Sequence, residues 1–237
     1  MDLSYARARA IKPALQYRYR TRAAVVVRAV RRWLPGRPVR LLEVGAADGR
    51  TLVEFSESFG RGEYVGIERD ASLCHAHVPL PPDARIIHGD AAELPPCLAD
   101  GSFSVVSMLA LLEHLPDSQA ALAEAYRVLE PGGLLVATCP NPWWDAVAGR
   151  LGLVDGDFHL RGIDERMLAD QVRSGGFEIA EVGRFMWAPV AFLPYLRIPV
   201  SPCVGLAFDF VAGRLPGLRR LCVNAYVVGR KPSVLSF

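Results

Sequence analysis

The sequence predicts an α/β fold: an open, mostly parallel sheet of seven strands with helices on both faces. Three observations point there. Short apolar runs alternate with stretches of helical periodicity from residue 39 onward. The first run, VRLLEV, ends in the small-residue turn GAADG and passes straight into a helical stretch, so that strand, tight turn and helix follow one another. A last apolar pair, FEIAEVGRF and LCVNAYVVGRK, stands outside the alternation and can close the sheet as antiparallel neighbours. Strands separated by helices need crossovers, and crossovers impose parallel pairing with right-handed connections.

Each element has its own signal. Residues 14–34 read as a basic amphipathic helix, in which Leu15, Ala23, Val26, Val27 and Val30 make an apolar stripe between arginines until Pro35-Gly36 ends the run. Next come strand 39–44, helix 50–58, strand 63–68 (EYVGIE), a short helix 71–76, strand 84–89 (ARIIHG), strand 102–108 (SFSVVSM), helix 118–129 and strand 132–139 (GGLLVATC). Leu122, Ala125, Tyr126 and Leu129 give the long helix its buried stripe, and Pro131-Gly132-Gly133 turns the chain into the fifth strand. Beyond Pro140-Asn141-Pro142 the pattern loosens into a helix over 143–151, the polar stretch VDGDFHLRG, and a helix over 164–173 with Asp164 as its N-cap.

Three units follow from this: a basic helical cap over residues 1–36, the sheet over 37–186 and 219–233, and an apolar flap over 187–218. In the flap Pro189, Pro194, Pro199 and Pro202 interrupt the apolar run, and Arg197 and Asp209 lie inside it. A spanning helix needs about 20 unbroken apolar residues, so the flap reads either as a helical insertion packed over the core or as a substrate lid or membrane-facing patch. The 237 residues, 51% hydrophobic and 22% charged, suffice for one large core with such a lid.

The formal charge of +2 conceals a segregation. Residues 1–40 carry eleven Lys or Arg against Asp2, residues 41–183 nine against twenty-three acids, and the remainder seven against Asp209. Basic ends suit anionic small ligands, lipid headgroups or simple solvation. No zinc-finger spacing, aromatic-basic RNA signature or continuous basic recognition helix is present, so no nucleic-acid partner is expected. Five cysteines, odd in number and never spaced as a CxxC pair, suit a reducing cytoplasm, and no apolar segment follows the basic N-terminus as an export signal would require. The expected location is the cytoplasm, with a peripheral place at the inner membrane surface as the further option.

The chemistry concentrates at strand ends. In the stretch LLEVGAADG, a tight turn of small residues at the carboxyl end of the first strand lets a ligand approach the backbone and meet a helix N-terminus. Glu68 ends the next strand, where a carboxylate can accept from both ribose hydroxyls of an adenosine moiety. Asp90 follows the third strand in HGDAAELP, where its side chain and the Ala91 N–H can address an adenine edge. Each acid alone is as readily a helix cap or a solvated loop residue; together they outline a site.

In order, LLEVGAADG, YVGIERD, HGDAAELP, SFSVVSMLALLEHLPD and EAYRVLEPGGLLVATCPNP resemble the successive motifs of the class I S-adenosylmethionine-dependent methyltransferases, in particular the small-molecule branch that includes ubiquinone and menaquinone biosynthesis enzymes. The resemblance covers residues 38–140, with a weaker echo in HLRGIDERMLADQVRSGGFEI. It implies a Rossmann-like sheet and S-adenosyl-L-methionine as cofactor, leaving as S-adenosyl-L-homocysteine. Glu43, Gly45, Ala46, Ala47 and Gly49 are then expected beneath the methionine and ribose parts, Glu68 on the ribose with Arg69 beside it, and Asp90 and Ala91 on the adenine. The backbone at Met108 and Leu109 faces the methionyl ammonium, and Arg22 is a further candidate to pair with its carboxylate. Two departures stand out. Ala47 replaces the middle glycine of the G-x-G-x-G turn, and Ala110 stands where the quinone O-methyltransferases carry the first Glu of E-x-x-E-H, so no metal is assigned.

The implied activity is methyl transfer to a small or lipid-like acceptor. If that acceptor is a hydroxyl, the candidate bases are His114 and His159, each of which also has a plain reading as a packing or loop residue. Trp143, Trp144, Phe158 and Trp187 offer apolar surface for an aromatic or prenylated acceptor, or simply core. Two other classes stay open: an NAD-dependent oxidoreductase, which Arg50 disfavours by crowding the pyrophosphate position, and a non-catalytic S-adenosylmethionine-binding scaffold.

Overall fold

The computed structural model describes residues 3–150, 162–212 and 215–233. Two helices open the chain, α1 (Leu3–Ile11) and α2 (Pro13–Trp33), with Pro13 at the start of α2, where its missing N–H has no intrahelical partner to lose. The alternating part follows as β1 (Arg40–Val44), α3 (Arg50–Phe59), β2 (Glu63–Glu68), α4 (Ala71–His75), β3 (Ala84–His88), β4 (Phe103–Leu109), α5 (Ser118–Val128), β5 (Leu129–Pro140), α6 (Pro142–Arg150), α7 (Glu165–Ser174) and β6 (Glu178–Trp187). Three helices, α8 (Ala188–Ala191), α9 (Pro202–Ala212) and α10 (Pro216–Arg219), then lead to β7 (Cys222–Arg230).

The strands form one sheet in the order β3-β2-β1-β4-β5-β7-β6. All pairs from β3 to β5 are parallel, and β7 runs antiparallel to both of its neighbours. The seven-stranded, mostly parallel architecture predicted from the sequence is the one that forms, closing pair included. Asp164 caps α7, its Oδ1 accepting from the N–H groups of Arg166 and Met167 at 2.8 and 2.9 Å.

One boundary differs for a local reason. The fifth strand begins at Leu129, which pairs with Phe103 before the register shifts, so Pro131-Gly132-Gly133 is an irregularity within β5 and not a turn leading into it. Backbone bonds from Gly132 N to Lys231 O and from Lys231 N to Gly133 O, both 2.9 Å, hold that irregularity against the end of β7.

Side chains alternate across the sheet and build a layer on each face. On one, Leu42, Val65, Ile67, Val106 and Met108 meet Leu122 and Ala125 of α5 and Leu168 and Val172 of α7. On the other, Leu41, Tyr64, Val105 and Val136 meet Val26 and Val30 of α2 and Phe55 of α3. The inner side of the segment between β6 and β7, with Val190, Ala191 and Leu206, joins this second layer. No helix among the described residues is long and apolar enough to cross a membrane.

Candidate active site

In an open parallel sheet, connections leave in opposite directions where the strand order reverses, and a crevice opens at the carboxyl ends there. The reversal lies between β1 and β4, which pair side by side. Gly45 leaves β1 at φ +83, and its N–H and that of Ala46 both donate to the Ile67 carbonyl, at 2.8 and 3.0 Å. Opposite it, Leu111 closes in after β4: a Cβ on Gly45 would stand 3.1 Å from Leu111 Cδ1. The turn is seated on β2 through Gly66, where a Cβ would fall 2.5 Å from the Ala46 methyl. Gly66 escaped the sequence reading, because a glycine inside an apolar run carries no sign of what approaches it.

Ala47, the substitute for the middle glycine, is buried with φ +51, in the left-handed region that costs a residue bearing a Cβ about 1–2 kcal/mol. Its N–H donates to Glu68 Oε2 at 2.8 Å, and Glu68 Oε1 accepts from Asp70 N at 3.0 Å. Glu68 is therefore held rigidly at 8% exposure, with a lone pair left on each oxygen. The register of β2 on β3 pairs Glu68 with His88, so Asp90 emerges two residues later at the same edge of the sheet. Asp90 Oδ1 accepts from Ala92 N at 2.8 Å, its Oδ2 lies 3.4 Å from Arg69 Nε, and Ala91 is buried beside it. At the end of β4, Met108 is buried, while Ala110 turns at φ +53 and donates its N–H to Thr138 Oγ1 at 3.0 Å.

A narrow cleft lies between the N-terminal helices and this turn, lined among others by Arg9, Arg18, Arg22, Glu43, Gly45 and Leu109. Glu43 is 2% exposed and its Oε2 has no hydrogen-bond partner. Burial pushes its carboxyl up to about 8, against the opposing pull of Arg9 and a hydrogen bond with Thr51. Arg9 also reaches Asp48 at 3.2 Å and Thr51 Oγ1 at 3.3 Å, with both partners of the ion pair almost wholly buried. Asp48 is bound in addition by Arg50 Nε at 2.9 Å. A buried Arg thus balances two buried acids at the glycine turn. Sequence reasoning missed Arg9 and Asp48: one basic residue among eleven carries no mark of which will fold inward.

Arg22 lies in this cleft and its guanidinium donates to Asn224 Oδ1 at 3.3 Å, tying α2 to β7. His114 ends a 3-10 turn over Leu112–His114 and is half-buried, outside the cleft lining. His159 and Phe158 fall outside the described residues. Of the other aromatics, Trp143 is 62% exposed and packs edge-on to Trp144, and Trp187 stacks on Phe208. None of the three lines the cleft. Among the described residues no group of three or more His, Cys, Asp or Glu side chains is placed to hold a metal.

A family described as a methyltransferase domain matches residues 42–137, the span from β1 to β5 that holds the turn, Glu68 and Asp90. A protein of Mycolicibacterium smegmatis named a "probable S-adenosylmethionine-dependent methyltransferase" is 31% identical over 155 residues, 65% of this chain and 58% of that one. Over this span the chain is similar to S-adenosylmethionine-dependent methyltransferases. S-adenosyl-L-methionine is the cofactor of that family. A demethylmenaquinone methyltransferase of Staphylococcus aureus is 38% identical over 93 residues, 39% of this chain and 33% of that protein. The chain therefore spans less than two thirds of the length of either relative. Among solved structures, an S-adenosylmethionine-dependent methyltransferase from Archaeoglobus fulgidus shares the fold with a TM-score of 0.63, 16% identity, and coverage of 97% of this chain and all of that one.

Proposed function

We propose that the chain transfers a methyl group from S-adenosyl-L-methionine to a small, lipid-like acceptor. One observation carries the reading: the crevice between β1 and β4 combines a tight turn, whose Ala47 N–H is fixed by Glu68, with an unsatisfied buried carboxyl oxygen on Glu43. A buried acceptor without a partner costs about 1–3 kcal/mol, and an ammonium group seated against it would remove that cost. The residues present fit the cofactor on that ground.

Glu43, Gly45, Ala46, Ala47 and Gly49 would lie beneath its methionine and ribose parts, with Glu68 accepting from the ribose hydroxyls. Asp90 and the Ala91 N–H would take the adenine edge, flanked by Arg69. The backbone at Met108 and Leu109 would face the ammonium, and Arg22 would meet the carboxylate from the far wall, with Arg9 and Arg18 in the same cleft. The cofactor supplies a methyl group already made electrophilic by its sulfonium. What remains for the chain is to align the acceptor and keep water out, as the cap of α1 and α2 over the cleft allows. His114 and His159 are the candidate bases for a hydroxyl acceptor.

A relative named for demethylmenaquinone and the apolar segment after β6 support the lipid-like acceptor. Five free thiols support a reducing cytoplasm, and the basic ends support work at its membrane face. In this reading residues 1–36 and 187–218 are substrate-side attachments to the catalytic sheet.

Thermal shift and calorimetric titration with S-adenosylhomocysteine, run beside NAD, test the cofactor. Stabilisation by the former alone is the expected result, since Arg50, bound to Asp48 at the start of α3, crowds a pyrophosphate. Stabilisation by NAD alone overturns it in favour of an oxidoreductase. Cofactor binding without release of S-adenosylhomocysteine across lipid-like phenols, amines and carbon acids would make the chain a scaffold.

A further inference from the structure

Helix α9 carries its residues inside out. Its one charged residue, Asp209, is 6% exposed and faces the protein, accepting from Met186 N at 2.8 Å and Trp187 N at 2.7 Å, so that α9 is pinned to the end of β6. The outward side holds Val204, Phe208 and Val211, at successive turns, exposed at 49, 48 and 58%. Leu196, Ile198 and Leu215 continue the surface, at 71, 47 and 51%. A helix apolar all round belongs in a core or a bilayer, yet eleven residues cannot span one.

The surroundings select the covering. Arg197 stands exposed between Leu196 and Ile198, and Arg220 is exposed just beyond α10, whose last residue, Arg219, is ion-paired with Glu165. Residues 187–220 contain four arginines and a single acid, the inward-facing Asp209. A second copy of this face would bring Arg197 and Arg220 to arginines, since the carboxylate at its edge, Glu165, is already bound by Arg184 and Arg219. Exposed Trp143 borders the region as well: its neighbour Trp144 donates its indole N–H to the Arg220 carbonyl at 3.2 Å. Tryptophan beside arginine at the rim of an apolar face is the composition that seats at a headgroup boundary.

We infer that the outer face of α9, with the Leu196–Ile198 loop, docks on an anionic lipid bilayer, inserting its apolar side chains while Arg197 and Arg220 meet the headgroups. The inference deepens the reading that the chain serves a lipid-like acceptor, by naming the surface that brings the cleft to lipid. The face is presented by a backbone clamp and so is formed before the membrane is met.

The test is co-sedimentation of the full chain with phosphatidylcholine vesicles, with and without phosphatidylglycerol, at low salt. Wild type should pellet about tenfold more with the anionic vesicles, and Val204→Asp/Val211→Asp should abolish this while the melting temperature and S-adenosylhomocysteine affinity hold. Should that double variant fail to fold, Arg197→Glu/Arg220→Glu must remove the preference for anionic lipid. Wild type left in the supernatant overturns the inference, as does a folded double variant that pellets like wild type. Ultracentrifugation showing a dimer that the apolar variant dissolves, without vesicle binding, assigns the face to a second copy instead. Vesicle binding with no affinity for S-adenosylhomocysteine would leave the docking face standing and remove the methyl-transfer reading.

Discussion

Glu68 has one task within the fold and, in the proposed reading, a second toward the cofactor, and substitutions separate them. Its oxygens already satisfy two backbone N–H groups. Glu68→Ala strands both, so affinity for S-adenosylhomocysteine should fall at least tenfold, about 1.4 kcal/mol, measured by calorimetry. An unchanged dissociation constant would remove the ribose assignment. Ala47 poses a balance of three terms. Relief of the left-handed strain in Ala47→Gly is worth about 1–2 kcal/mol, against about 0.4–1 for added freedom of the unfolded chain and about 0.8 for a lost buried methyl. These nearly cancel, so urea unfolding of Ala47→Gly should differ from wild type by less than about 1 kcal/mol. Ala47→Val meets strain and crowding together and should lose about 2–4 kcal/mol. The alanine is thus a tolerated variant of the turn, provided the side chain grows no larger.

At the scale of elements, the strands and most helix ends were legible because period and punctuation are local: EYVGIE is β2 residue for residue, and Asp164 caps α7 as its position before an amphipathic run suggests. The acids at the ends of β1, β2 and β3 could be read for the same reason, since strand ends locate them. What the sequence withheld depends on contacts between distant segments. α1, with Arg9 buried on Asp48, lies thirty-nine residues from its partner, and nothing in an arginine-rich stretch distinguishes the one that turns inward. Asp209, which the sequence shows only as a charge lying inside an apolar flap, proves to be what fastens that flap. The weight on α1 can be measured. Arg9→Ala removes the cation from a buried pair and leaves Glu43 more strongly protonated, while Arg50 still compensates Asp48. Stability should fall by about 2–4 kcal/mol in urea unfolding, with weaker S-adenosylhomocysteine binding. A loss below about 0.5 kcal/mol would mean that α1 covers the cleft without being anchored there.

For the molecule as a whole, buried acids make stability and ligand binding depend on pH in opposite senses. Glu43 is raised by burial to about 8 and Asp209, also by burial, to about 6. Both bind protons more tightly folded than unfolded, so their contribution is complete below the ordinary carboxylate range and is lost as pH climbs through about 6 for Asp209 and about 8 for Glu43. Glu181 is shifted the other way by Tyr226 and Arg28, and Glu124 by Arg127, so their contribution disappears as pH falls below that range. The ligand-free protein should therefore melt highest near pH ~5 and lose a few kcal/mol, in order of magnitude, by pH ~8. An ammonium group against Glu43 favours its ionised form and reverses the penalty. Binding of S-adenosylhomocysteine should then expel a proton below pH ~8 and tighten between pH ~6 and ~8 by up to about tenfold per unit. Calorimetry in buffers of different ionisation enthalpy reads that proton directly, and Glu43→Gln should abolish both the release and most of the alkaline destabilisation. Proton uptake on binding, or a melting temperature that rises steadily from pH ~5 to ~8, would place the ligand's ammonium away from Glu43 and require a different orientation in the cleft.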